Sequence, residues 1–317
     1  MLTHEEVYAF LKKKSTLSHS GLTKESGLPT GTLAKAMNGQ RRLTESHLKA
    51  LEPILLQYGI DDFRIRRATV LSVVNHKGGV GKTTTTINLG KGLVNRQQSV
   101  LLIDMDSQGN LSQSLGIHNP EEQLLQGLTQ GSPLPVIPLS TGYHLVPSDL
   151  ELAKAEADLI KTPSGVLRFR NVLAPLLVKY DYILIDCPPS LNIYTYSALV
   201  ASSAALVVLE PEASAVKGMY NLLELIQDIR KSFNPKLKVE GIVMAQVNPQ
   251  LVLHRELMGK VRDDLKGQPF FKTEIRQNVA IAESQYVGKT IFDYKPNSTG
   301  ATDYQSLADE VFANHPA

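Results

Sequence analysis

The run Asn75-His76-Lys77-Gly78-Gly79-Val80-Gly81-Lys82-Thr83-Thr84 constrains this chain more than any other stretch, because it sits between an apolar strand and a helix. Before it, Thr69-Val70-Leu71-Ser72-Val73-Val74 is short, apolar and rich in β-branched residues, which predicts a buried parallel strand. After it, Thr83 to Val94 reads as a helix. Strand, glycine loop and helix gather consecutive backbone N–H groups and the positive end of a helix dipole around one spot, an arrangement suited to phosphate oxygens. Gly78, Gly79 and Gly81 keep side chains out of that spot. The expectation is a nucleoside triphosphate site formed by Lys77, Gly78, Gly79, Val80, Gly81, Lys82, Thr83 and Thr84.

The common form of such a loop is G-x-x-x-x-G-K-[ST], with the lysine on the β- and γ-phosphates and the hydroxyl on magnesium. Gly81, Lys82 and Thr83 fit it, but His76 stands where the first glycine belongs. The variant K-G-G-x-G-K-T, with Lys77 near its start, resembles the deviant Walker A box of the ParA/MinD family of ATPases. His76 stands where many partition ATPases carry Gln and reads as a surface loop residue.

Beyond the loop, apolar runs alternate with helical stretches, as in a doubly wound sheet. The strand through Ser99-Val100-Leu101-Leu102-Ile103 ends in Asp104-Met105-Asp106, and Tyr182-Ile183-Leu184-Ile185 ends in Asp186. Ligands of open parallel sheets bind at the carboxyl ends of the strands, so Asp104, Asp106 and Asp186 should face the loop's crevice. The D-x-D-x-Q-G-N and D-C-P-P-S stretches are similar to the family's switch and Walker B segments. That resemblance implies that Asp106 positions the attacking water, that Asp104 lies near the magnesium shell, and that Asp186 holds a magnesium-bound water. Asn248, after the strand Val239 to Ala245, falls where the family has an adenine-contacting asparagine; turn formation by Asn-Pro explains it as well. The resemblance covers residues 68 to 312 and implies ATP and Mg2+ as cofactors.

Residues 1 to 66 differ in kind. They hold ten basic against seven acidic residues, while the remainder holds 23 against 24, although the whole chain carries only +2. A boundary is placed near Arg66-Arg67, giving a domain 1–66 and a domain 67–317. The first reads as short helices: Glu5 to Lys13 with Val7, Phe10 and Leu11 inward, Leu22 to Leu28 stopping at Gly27, a helix capped by Thr30, and Glu45 to Gln57 with Leu48, Leu51, Ile54 and Leu55 inward. In the third helix Leu33 and Met37 share the inner face, which leaves Thr32, Lys35 and Ala36 outward. This order resembles lambda-repressor/Cro-like helix-turn-helix domains, whose second helix enters the major groove. By that resemblance Thr30, Thr32, Lys35 and Ala36 face bases, while Gln40, Arg41 and Arg42 reach phosphates. A helical bundle for dimerisation or partner docking is the alternative. The expected fold is therefore α/β, a doubly wound mostly parallel sheet of the P-loop NTPase type, preceded by a small all-α helix-turn-helix domain.

Of 317 residues, 42% are hydrophobic, enough for a sizeable core, and no apolar stretch reaches the roughly 18 residues of a membrane helix. The start of the chain lacks a secretory signal pattern, and one cysteine, Cys187, excludes an intramolecular disulfide, which together suit a cytoplasmic protein. That single cysteine also sets the chain apart from relatives that bridge an iron–sulfur cluster. The segment Asp303 to Ala317 carries three acidic residues and no Lys or Arg, unlike the basic membrane anchors of MinD-like members. The ParA/Soj partition ATPases remain. Their resemblance implies an ATP-sandwich homodimer with Lys77 reaching a phosphate in the facing subunit, non-specific binding to nucleoid DNA, and a ParB-type partner that accelerates hydrolysis. Arg230, Lys231, Arg255, Lys260 and Arg262 are candidates for the DNA surface, or ordinary solvated helix faces. An ATP-regulated site-specific repressor and a MinD-like positioning ATPase are the alternative readings.

Overall fold

The computed structural model describes residues 2–60, 67–212 and 215–315. The chain divides into two compact units, Met1–Ala68 with Pro175–Asp181, and Thr69–Ala174 with Tyr182–Ala317. Arg66, at the expected boundary, and Pro316 and Ala317, in the acidic end segment, lie outside the described residues.

The first unit carries α1 (His4–Lys13), α2 (His19–Glu25), α3 (Thr32–Met37) and α4 (Glu45–Gln57). Thr3 opens α1 with a capping box in which its hydroxyl accepts from Glu6 N and the Glu6 carboxylate accepts from Thr3 N, so two otherwise orphaned donors are satisfied. Val7, Phe10, Leu11, Leu22, Leu33, Leu48, Leu51 and Leu55 form one core. α2 begins at His19, three residues before the expected start, because Ser18 caps it by accepting from Gly21 N. α3 departs further from expectation. Gly31, at φ 80°, occupies its N-cap instead of Thr30, and Thr32 and Ala36 are both 2% exposed. The Thr32 hydroxyl donates to Pro29 O at 2.7 Å. A helix of six residues packed between neighbours buries small side chains as well as large ones, so Thr32 and Ala36 are core residues and cannot face a base.

The second unit is built on β1 (Thr69–Val74), β2 (Val100–Asp104), β3 (Ile137–Pro138), β4 (His144–Val146), β5 (Tyr182–Asp186), β6 (Ala204–Leu209), β7 (Lys238–Val247) and β8 (Phe270–Arg276). The order across the sheet is β3-β4-β2-β5-β1-β6-β7-β8, with every pair parallel except β3 and β4. The doubly wound, mostly parallel sheet is thus observed. Both faces are covered, which is why β1, β2, β5 and β6 read as unbroken apolar runs and not as alternating patterns. On one face Leu71, Val73, Leu102, Leu184 and Leu206 pack with Ile87, Leu89 and Leu93 of the helix Lys82–Asn95 and with Tyr304, Leu307 and Ala308 of the helix Thr299–Asn314. Two glycines inside the first helix make this close approach possible: a Cβ on Gly90 would lie 2.9 Å from Leu102, and one on Gly92 would lie 2.7 Å from Ala308. Because the central strands run parallel, the ends of β1, β2, β5, β6 and β7 open onto one edge. Among the described residues no helix is long and apolar enough to cross a membrane.

Candidate active site

The loop after β1 is tied from behind. Asn75 donates to Val208 O at 2.6 Å and accepts from Lys77 N at 3.1 Å, which fixes the chain as it leaves the strand. Gly79 and Gly81 have φ 78° and 96°, a region that an L side chain enters at a cost. Gly78 has no such φ, and a Cβ there would meet only Pro189, at 3.8 Å. Lys82 opens the helix Lys82–Asn95, 7% exposed, and reaches back to donate to Lys77 O at 2.8 Å. Burial lowers its pKa, against the charges of Asp186, Cys187 and Asp106.

Thr83 donates to Asp186 Oδ2 at 2.6 Å, and Thr86 approaches Asp186 Oδ1 at 3.4 Å. Asp186 stands in register with Asp104 on the neighbouring strand, and both are buried. Burial first, then the Asp104 charge, pushes Asp186 up to about 8, and burial pushes Asp104 up to about 7. Such desolvated hard oxygens beside a threonine hydroxyl suit a divalent cation, which would take the place of a proton. Among the described residues no three His, Cys, Asp or Glu form a cage, so phosphate oxygens and water would have to complete the shell. Asp104 is turned differently from Asp186. It accepts from Ser112 N at 2.9 Å, Ser112 Oγ at 2.7 Å and Asp106 N at 3.2 Å, so its carboxylate braces the segment that carries Asp106. Asp106 accepts from Gln108 N at 3.0 Å, and its carbonyl accepts from Ser148 Oγ at 2.5 Å.

Lys77 lies beside two carboxylates at the exit of β6, with Nζ 2.5 Å from Glu212 and 3.5 Å from Glu210. The Glu212 hydrogen bond leads the causes that raise its pKa. A cavity of about 210 Å³ adjoins this pair, lined by Asn75, His76, Val80, Leu209 and Ala215 among others. His76, expected at the surface, is half-buried. Its ring packs on the helix Ala215–Ser232 so closely that a Cβ on Gly218 would lie 1.4 Å from Cε1. Cys187, directly after β5, is buried.

Thr84 accepts from Gln285 Nε2 at 2.9 Å. Asn248 forms a turn: its Oδ1 accepts from Gln250 N at 3.1 Å, and its N–H donates to His254 Nδ1 at 3.1 Å. Sequence reasoning missed Glu210 and Glu212 as partners of Lys77, Ser112 and Ser148 as braces, and Gln246, which donates to Gly79 O at 2.6 Å. The strand-end logic that found Asp104 and Asp186 applied equally to Glu210.

Thr30, Lys35, Gln40, Arg41 and Arg42 are exposed in the first unit, and Arg42 pairs with Glu5. In the second unit Arg230 and Lys231 end the helix Ala215–Ser232, and Arg255, Lys260 and Arg262 lie along the helix Val252–Asp264. Arg262 is already engaged, 3.0 Å from Glu274 and stacked 5.5 Å over Phe270.

A family model described as an AAA domain matches residues 68–239. The sporulation initiation inhibitor protein Soj of Bacillus subtilis is 36% identical over 250 residues, 77% of this chain and 98% of Soj. The chromosome partitioning protein ParA of Caulobacter vibrioides is 36% identical over 251 residues, 77% of this chain and 94% of that protein. Among solved structures, cobyrinic acid a,c-diamide synthase from Mycobacterium smegmatis with bound ATP analogue and magnesium is 29% identical, covers 76% of this chain and 93% of its own, and superposes with a TM-score of 0.68.

Proposed function

Because the chain belongs to the ParA/Soj/MinD-type family of P-loop ATPases, we propose that it is an ATP-hydrolysing DNA-partition protein. ATP draws two copies into a sandwich dimer that holds DNA without sequence preference, and a ParB-type partner accelerates the hydrolysis that ends this state. The observation that carries the reading is the loop's second lysine. Lys82 already spans the loop, whereas Lys77 is stationed at its flank on Glu212.

In this reading Lys82 exchanges the Lys77 carbonyl for the β- and γ-phosphates. Thr83 and Asp186 would hold magnesium, which would supply positive charge against the phosphates during transfer. Asp106 orients the attacking water, steadied by Gln108 N on its carboxylate and Ser148 on its carbonyl. Lys77 leaves Glu212 for a phosphate of the facing copy, so the dimer lasts only while the γ-phosphate does. Asn248 lies on the adenine side. Arg230, Lys231, Arg255 and Lys260 make the phosphate contacts of non-specific DNA binding.

Thr30, Lys35, Gln40 and Arg41 on the basic first unit give a second reading some support, in which this unit selects an operator and represses transcription. DNA binding by the full chain, with ATP, with ADP and without nucleotide, on random and operator-like duplexes across a salt series, tests both. Binding to random duplex with ATP alone, falling steeply with salt, is the expected result. Selection of one sequence whatever the nucleotide would replace partition with repression.

A further inference from the structure

β7 breaks its own regularity just before it ends. Its pairing with β8 shifts register between Met244 and Val247, and within that bulge Gln246 adopts φ 55°, a left-handed conformation rare for a residue other than glycine. Bulges of this kind re-aim a side chain. Here the re-aimed side chain passes the end of β6 and donates to the carbonyl of Gly79 in the phosphate loop, at 2.6 Å. Two residues later Asn248 starts the turn assigned above to the adenine side.

From this geometry we infer that Gln246 is a positioning residue for the phosphate loop, resting on the reading that the loop binds a nucleoside triphosphate. The carbonyl of Gly79 and the N–H of Val80 belong to one planar trans peptide and point in opposite directions. A donor that holds the carbonyl outward therefore holds the Val80 N–H toward the phosphate side. Gly79, at φ 78° with no atom within 4 Å of a Cβ position, has nothing of its own to keep that peptide from rotating. The strain at Gln246 persists because the chain gains an aligned amide where the phosphates sit, and the same strut links the adenine-side turn to the loop.

Three proteins test this: the full wild-type chain, Gln246→Met, which keeps the length and removes the donor, and Gln246→Gly, which removes the donor and relieves the backbone. Binding of the methylanthraniloyl derivatives of ATP and ADP is measured beside thermal unfolding without nucleotide. Both variants should bind both nucleotides about threefold to tenfold more weakly, the worth of one hydrogen bond. Gln246→Gly should unfold later than Gln246→Met, because glycine relieves the left-handed backbone strain that methionine retains. Two variants matched in affinity but not in stability identify the lost donor as the cause. Variants that bind as tightly as wild type, or more tightly, would overturn the inference and leave the nucleotide reading intact. A wild-type chain that binds neither nucleotide would overturn both.

Discussion

Thr83 Oγ1 lies 2.6 Å from Asp186 Oδ2, joining the first turn of the loop's helix to the end of β5 across 103 residues of chain. That contact brings a neutral oxygen and a buried carboxylate together where a triphosphate-bound cation would need them. Asp186→Asn should therefore weaken ATP binding in magnesium at least tenfold and have a much smaller effect in excess chelator. Isothermal titration in the two buffers measures the difference, and equal losses in both would remove Asp186 from the metal site.

Glu240 predicts where acid should weaken the fold. Burial alone would raise its pKa, but the close approach of His315 and Lys238 and the hydrogen bond from Asn314 outweigh burial and bring it down to about 2. Asn314 Nδ2 lies 2.9 Å from Oε1, and Lys238 lies 3.1 Å from Oε2. A carboxyl whose pKa is lower when folded binds fewer protons in the native state, so its contribution is complete above the unfolded value of 4.5 and is lost as the pH falls toward 2. That contribution is on the order of 3 kcal/mol. Glu240→Gln should lower the urea midpoint at pH 7, and its deficit should shrink below about pH 4.5. A deficit independent of pH would locate the effect in packing.

Thr32 and Lys35 separate stability from recognition in the first unit. Thr32→Ala removes a buried hydroxyl from Pro29 O and should cost about 1 kcal/mol. Lys35→Ala, on an exposed position, should leave the unfolding midpoint within about 0.5 kcal/mol of wild type. If the unit binds operator DNA, Lys35→Ala weakens that binding and Thr32→Ala at low temperature does not. Paired denaturation and operator titration distinguish the two.

The sequence announced what depends on neighbours along the chain. α4 ran over Glu45–Gln57 as expected because its apolar residues recur at helical spacing, and β1 ran over Thr69–Val74 because it is a bounded β-branched run. The meeting of Thr83 with Asp186, and of Asp186 with Asp104, followed from the loop pattern and the strand ends together. What remained illegible depends on the tertiary fold. Lys77 meets Glu210 across 133 positions, and Gln246 meets Gly79 across 167, the latter only because a bulge turns it. In α3 the pattern of large apolar residues misled, since Thr32 and Ala36 are small enough to be buried without a hydrophobic signature.

In the proposed function ATP joins two copies through Lys77. In this chain Lys77 and Glu212 form a partly exposed pair, worth less than about 1 kcal/mol, so it can be exchanged for a stronger partner at little cost. Sedimentation of Asp106→Ala and of Asp106→Ala with Lys77→Ala, each with ATP and with ADP, tests this most directly, because slow hydrolysis keeps the ATP state intact. The account expects a dimer for the single variant in ATP, a monomer for it in ADP, and a monomer for the double variant in both, with ATP still bound. A double variant that dimerises as well as the single one would contradict it.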